Sequence, residues 1–191
     1  MGSLIAVANL KKHYPSSRSL GEIVRGEHPA VRALDGVSFE VGEGESLGLL
    51  GESGCGKTTT GRLILKLEEP TSGSIVVNGQ PIADLRGRAL KKFRKEAQLV
   101  FQNPFDALNP RLTIEDSLAE PLINFGAPKA EFADRITTAL MRVKLPNVRE
   151  ALPKFPHQLS GGQLQRVVLA RALNTNGADD VLWVPGASRK G

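Results

Sequence analysis

The stretch GESGCGKT, residues 51–58, sets three glycines, a lysine and a hydroxyl in the order G-x-x-x-x-G-K-[ST]. Gly51, Gly54 and Gly56 let the backbone curl until successive N–H groups point at one set of oxygens. Lys57 adds a compact cation for the outer phosphates, and Thr58 offers a hydroxyl to Mg²⁺. Glu52, Ser53 and Cys55 fill the variable positions, and Thr59 follows the pattern. The chemistry of such a loop is the binding of a phosphate chain.

A second constellation lies far along the chain, in LSGGQLQRVVLARAL from Leu159. Ser160 and Gln163 stand at capping-box spacing, which predicts a helix start. Gly161 and Gly162 leave backbone N–H groups bare at the positive end of that helix. Taken on its physics alone, the segment is either a second anion site or an ordinary capped helix after a glycine turn.

The elements that would position these groups can be read from pattern. LIAVANL predicts a strand, and VRALDGVSFEVGEGESLGLLGESG predicts two strands around a turn at residues 42–44, the second covering residues 46–50. KTTTGRLILKLEEP predicts a helix stopped before Pro70, its positive end facing the phosphate loop. GSIVVNGQPI predicts a strand with an Asn78–Gly79 turn. Residues 84–96 predict a basic helix with a solvated face, and AQLVFQ a further strand. Residues 16–30 are polar and read as a surface excursion. From 110 to 155 the texture is helical. Thr113 and Asp116 can form a capping box, Pro128 suits a first helical position, and Phe132, Ile136, Ala139, Leu140 and Val143 recur at helical spacing.

Bulk properties bound the reading. The chain has 191 residues, 40% hydrophobic and 24% charged, enough for one domain with a subdomain and a packed core. A net charge of +5 permits nucleic acid, anionic lipid or phosphate ligands without selecting among them. Cys55 is the only cysteine, so an internal disulfide is excluded. The N-terminus makes a poor secretory signal, and no apolar run approaches the ~20 residues of a bilayer span. A cytoplasmic chain is the expectation.

LSGGQ after such a phosphate loop resembles the signature of ATP-binding cassette (ABC) ATPases, and the resemblance runs from about Val7 to Leu173. FQNPFDALNPRLTI, PHQLSGGQLQR and the opening YPSSRSLGEIVRGEHPAVRALDGVSF resemble the dipeptide/oligopeptide importer branch, in its second type of ATPase subunit. The resemblance implies an α/β P-loop NTPase fold with an N-terminal antiparallel β subdomain and an inserted helical subdomain. It divides the chain into a nucleotide-binding core (1–105), a helical subdomain (106–159), a signature helix (160–173) and a divergent tail (174–191). Tyr14 stands where the family places an aromatic that stacks on adenine, and Gln102 where it places a glutamine that senses Mg²⁺ and the attacking water. Residues 51–59 would hold ATP, with Thr58 and Gln102 toward the metal. Ser160, Gly161, Gly162 and Gln163 would reach the γ-phosphate bound by a second ATPase subunit in a head-to-tail dimer. Permease subunits would be the membrane partners, so the chain would lie peripherally on the inner face of the cell membrane, without direct contact to nucleic acid.

The resemblance stops at about Leu173. The family follows its signature helix with an apolar strand ending in Asp-Glu, which hold Mg²⁺ and polarise the water. After the run Val181 to Val184 this chain has Pro185 and Gly186 instead. Asp179 and Asp180 precede the run, at the wrong end of such a strand, and His157 precedes the signature, where it belongs to a local turn. The expectation is therefore a truncated or frame-shifted product that lacks the C-terminal part of the core sheet and hydrolyses no ATP alone. Residues 46–50 and the strand ending at Gln102 would lack their neighbours. A non-hydrolysing, ATP-dependent interaction module and a non-functional fragment remain open alternatives. A nucleic-acid-directed ABC protein fits the permease-type segment FQNPFDALNPR less well.

Overall fold

The computed structural model describes residues 3–15, 30–52, 54–101, 103–175 and 182–186, with Phe101 and residues 182–186 described by backbone alone. Gln102, Ser53 and almost all of the expected surface excursion at 16–30 lie outside the described residues. Contacts divide the α/β chain between Leu85 and Arg86 into two units.

The first unit is built on an antiparallel sheet of order β2-β1-β3-β4, formed by β1 (Ser3–Pro15), β2 (Ala30–Gly42), β3 (Ser72–Val77) and β4 (Gln80–Pro81). β1 is central and pairs with both β2 and β3. Ile5, Val7 and Leu10 of β1 are buried, and the step from a two-residue to a three-residue interval marks a bulge. Between the pairs Ala8–Ser74 and Lys11–Ser72 the register shifts, with Asn9 at φ 47°. Gly73 faces this bulge at φ 93°. A Cβ there would lie 2.4 Å from the Asn9 carbonyl oxygen and 2.7 Å from Leu10 Cα. The hairpin between β3 and β4 turns at Asn78 and Gly79, both at positive φ, as the Asn-Gly pair predicts. Helix α1 (Lys57–Ile64) ends earlier than its pattern suggests, because Lys66 turns to φ 48° well before Pro70.

Residues 46–50 do not form the expected strand, and no strand among the described residues pairs with them. Leu47, Leu49 and Leu50 are exposed, Leu50 at 96%. The apolar pattern is present, but a strand needs a partner for its backbone N–H and C=O groups, and here none is supplied.

The second unit contains α2 (Gly87–Glu96), β5 (Ala97–Phe101), α3 (Ile114–Phe125), α4 (Phe132–Arg142), α5 (Val148–Ala151), α6 (Gly161–Leu173) and β6 (Leu182–Gly186). The basic helix α2 buries Phe93 and turns Arg88, Lys91 and Lys92 to solvent. Ile114, Leu118 and Leu122 of α3 meet Ile136 and Leu140 of α4 and Leu164, Val167 and Val168 of α6 in one core. Phe132 and Val143 pack on its margin, so the helical spacing read from sequence is the buried face. Thr113 caps α3 by accepting from Asp116 N, whereas the Asp116 carboxylate takes the Thr113 hydroxyl. Pro128 precedes a 3-10 turn, Lys129–Glu131, and α4 begins only at Phe132.

The expectation that the strand ending before Gln102 has no neighbour needs correction. β6 runs parallel to β5, with Leu99 opposite Val184, Val100 opposite Pro185 and Phe101 opposite Gly186. The short apolar run after α6 is enough to supply one ladder.

The Gly73 contact gives a test of the first unit. Gly73→Ala should destabilise it by about 3 kcal/mol or more, since left-handed strain adds to a clash with backbone that cannot rotate away. Gly79→Ala, at φ 72° with nothing within 4 Å of the new Cβ, should cost only about 1 kcal/mol. Urea unfolding of the two variants should separate them clearly.

Candidate functional site

The phosphate loop follows from what its backbone must do. Gly51, Gly54 and Gly56 have φ of 156°, 92° and 93°, and the last two lie in the left-handed region where a side chain is strained. Gly56 is also crowded: a Cβ would come 2.4 Å from the Ala33 carbonyl oxygen and 2.7 Å from Leu34 Cδ2 of β2. Around Gly54, by contrast, a Cβ would meet nothing within 4 Å. The loop is thus pinned to the sheet at Gly56 and open at Gly54. Cys55 N donates to the Glu52 carbonyl at 3.3 Å and closes the turn between them.

Gly56 is the residue from which α1 starts. Its carbonyl accepts from Thr60 N at 2.8 Å and from the buried Thr60 hydroxyl at 3.0 Å. No side chain caps the helix, and no acidic residue lies in its first turn. The first N–H groups therefore keep their partial positive charge for an anion. The Lys57 ammonium donates to the carbonyls of Gly51 and Glu52, each at 2.7 Å, and lies 3.3 Å from Cys55 Sγ. A neutral carbonyl is a weaker partner for that cation than a phosphate oxygen. Thr58 and Thr59 are half-buried in the first turn of α1, while Gly51, Glu52, Gly54 and Cys55 are exposed. The Thr58 hydroxyl is a hard oxygen donor of the kind Mg²⁺ accepts beside phosphate oxygens, so this end of the loop fits the metal.

Tyr14 belongs to the same unit as the loop. Its phenol donates to Glu68 Oε2, and the Thr59 hydroxyl lies in hydrogen-bonding contact with it. Burial, then the hydrogen bond to Glu68, holds the phenol above the ordinary tyrosine range. Glu68 is itself held by Arg62 at 3.3 Å and Lys12 at 3.8 Å, and the Lys12 ammonium lies 5.0 Å from the centroid of the Tyr14 ring. Sequence reading singled out Tyr14 and Thr59 and named none of Glu68, Arg62 and Lys12. The two-residue period of β1 sets Lys12 on the face of Tyr14 and could have signalled it. No local pattern signals Glu68, which comes from the turn after α1.

In the second unit, α6 starts with the expected capping box. Gln163 N donates to Ser160 Oγ at 3.3 Å, and Ser160 N donates to Gln163 Oε1 at 3.0 Å. The box occupies an acceptor on each side chain and leaves the Ser160 O–H, the Gln163 amide hydrogens and the N–H groups of Gly161 and Gly162 as donors. A Cβ on either glycine would meet nothing within 4 Å. Such an array suits an anion. Arg166 secures the helix by donating to the carbonyls of Val143 and Lys144 at the end of α4, and Arg135 donates to those of Asn174 and Thr175. Gln102 and Ser53 are not among the described residues. His157 sits in a 3-10 turn and stacks on Phe155 at 5.8 Å.

The sequence profile of the ABC transporter family matches residues 34–178. The chain is 42% identical over 174 residues to the di/tripeptide transport ATP-binding protein DppF of Pseudomonas aeruginosa, covering 91% of this chain and 52% of that protein. It is 43% identical to the glutathione import ATP-binding protein GsiA of Pectobacterium atrosepticum, covering 91% of this chain and 27% of that one. The chain thus spans about half the length, or less, of these curated relatives. Among solved structures, the dimeric post-hydrolysis state of the ATP-binding cassette MJ0796 bound to ADP and Pi matches with a TM-score of 0.74 at 31% identity, over 90% of this chain and 70% of that one. CbiO1 from Clostridium perfringens, part of the transporter complex cbiONQ, matches with a TM-score of 0.71 at 25% identity, over 92% and 62% of the two chains. By its sequence match and by the cassette fold it shares with these structures, the chain belongs to the ABC transporter family.

Proposed function

We propose that this chain is the ATP-binding part of an importer for peptides or related solutes. The observation that carries the reading is the loop at Gly51–Lys57, where an uncapped helix start and the Lys57 ammonium meet a backbone turned by glycines at positive φ and exposed at Gly54. On this reading the loop takes the phosphates of ATP, Thr58 and Gln102 hold Mg²⁺, Gln102 also orients the attacking water, and Tyr14 stacks on adenine. Ser160, Gly161, Gly162 and Gln163 close on ATP bound to a second ATPase subunit, in a homo- or heterodimer. Permease subunits dock on the helical part, at the cytoplasmic face of the membrane. Among the described residues no helix is long and apolar enough to cross a membrane, and the relatives named for di/tripeptide transport and glutathione import support the solute class.

A second reading, ATP binding without turnover, is favoured by the register of β6. Pro185 and Gly186 lie opposite Val100 and Phe101, at the strand end that leads into Gln102. Family resemblance expects an Asp and a Glu at the end of such a strand. Proline and glycine offer no side-chain oxygen for Mg²⁺ and no base for water.

Three outcomes test these readings. Lys57→Ala should abolish binding of a fluorescent ATP analogue; equal binding by parent and variant removes the phosphate-loop assignment. Alkylating Cys55, the single cysteine and exposed in the loop, with a bulky maleimide should block the analogue, and MgATP should slow the labelling. The purified 191-residue chain should bind ATP yet release no phosphate above the Lys57→Ala background, because loss of a positioned general base alone costs roughly 10²–10⁴-fold. Release above that background would mean that Asp179, Asp180 or a partner subunit supplies the acid.

A further inference from the structure

We propose that Glu68 is a positioning residue for the nucleotide base: it anchors the Tyr14 phenol and so fixes the ring at the edge of α1 as a stacking platform. This rests on the reading of Tyr14 as the adenine contact, and adds to it the group that holds the ring.

The geometry carries the proposal. A half-buried tyrosine on a strand can swing about two side-chain torsions, and a stacking surface that swings loses affinity to the entropy of fixing it. Here the ring is held at both ends. Its backbone lies in β1, paired with Val31 of β2. Its hydroxyl is fastened to Glu68 Oε2, with Thr59 of the first turn of α1 beside it. Glu68 cannot drift, because Arg62 holds its other oxygen at 3.3 Å and Lys12 approaches Oε2 at 3.8 Å. Lys12 is fixed in turn: its ammonium donates to the Glu69 carbonyl at 2.7 Å and lies over the Tyr14 ring. With Lys12 on one face, a base would stack on the opposite one. The carboxylate is the one group that joins all of these. It accepts from the phenol and balances two cations that would otherwise repel each other. Because the phosphate loop runs into α1, the same helix sets both the phosphates and the ring that would meet the base.

The proposal separates base from phosphate, and the test uses that. In the 191-residue chain, Glu68→Ala and Tyr14→Phe should each weaken binding of ATP carrying a ribose fluorophore by roughly fivefold, the worth of one such hydrogen bond. The double variant should lose no more than either single one. Competition by inorganic tripolyphosphate, which has no base, should be unchanged in all three. Tyr14 is the only tyrosine, so the ultraviolet titration of tyrosinate reports it alone, and Glu68→Gln should shift that titration to lower pH. Full ATP affinity in both Glu68→Ala and Tyr14→Phe, or an unmoved titration in Glu68→Gln, overturns the positioning role. A parallel fall in tripolyphosphate affinity also overturns it, since the effect is then on the loop. Tyr14→Leu binding ATP as tightly as the parent overturns the adenine reading and the proposal with it. Tyr14→Phe keeps every contact except the hydroxyl, so the test stands even if Glu68→Ala fails to fold.

Discussion

The first unit depends on one close approach, that of Gly56 to β2. The backbone of the phosphate loop must pass so near the Ala33 carbonyl that a methyl group in place of hydrogen would sit 2.4 Å from its oxygen. That contact fixes where α1 begins, because Thr60 closes its first bond on the Gly56 carbonyl. It thereby fixes the line along which the helix N–H groups point. Everything toward the open side follows: the turn between Glu52 and Cys55, the Lys57 ammonium folded against loop carbonyls, and Thr58 in the first turn. Tyr14 is tied to the same helix through Thr59 and Glu68. A loop of glycines would be floppy in isolation; here one end is held by contact and the other is left free to meet a ligand.

The two anion-ready groups solve the same problem with different means. The phosphate loop adds a full charge, Lys57, to a helix that has no side-chain cap. The start of α6 carries no cation in its first turn and is capped by its own Ser160 and Gln163. Its capping box spends acceptors and spares donors, so it offers directed hydrogen bonds with little net charge. A phosphate already bearing a lysine and a metal needs additional donors more than a further cation. On the proposed reading, the first group is suited to binding and the second to closing.

Much of this was legible in the sequence where local chemistry decides. The Asn78–Gly79 turn, the Ser160–Gln163 box, the buried stripe of α4 and the lysine at the start of α1 all follow from neighbours within a few residues. What failed was decided at a distance. Residues 46–50 carry a strand pattern, yet no ladder forms beside them, since pattern chooses a face and only a partner makes a strand. Glu68 was invisible for a related reason: its role comes from Tyr14, Arg62 and Lys12, of which Tyr14 and Lys12 are more than fifty residues away along the chain. Pro128 suited the first position of a helix, but the chain makes a 3-10 turn there first.

The pairing of β5 with β6 shows how little a ladder asks and how much more catalysis asks. In a parallel ladder, alternate residues bond to opposite neighbours, so a strand with a partner on one side tolerates a proline whose missing N–H faces away. Leu182–Gly186 pairs with Ala97–Phe101 with a proline inside the ladder, Pro185 opposite Val100. A reaction centre at the same end of the strand requires specific side chains as well. Carboxylates there would have to be held against their own repulsion and against burial, which a metal and a phosphate chain would offset. Pro185 and Gly186 carry no carboxylate, and Gln102, which follows Phe101 in sequence, carries an amide. An amide can orient a water or ligate a metal weakly, but it cannot accept a proton as a carboxylate does. Forming a ladder at this position therefore asks less of the sequence than catalysis there would.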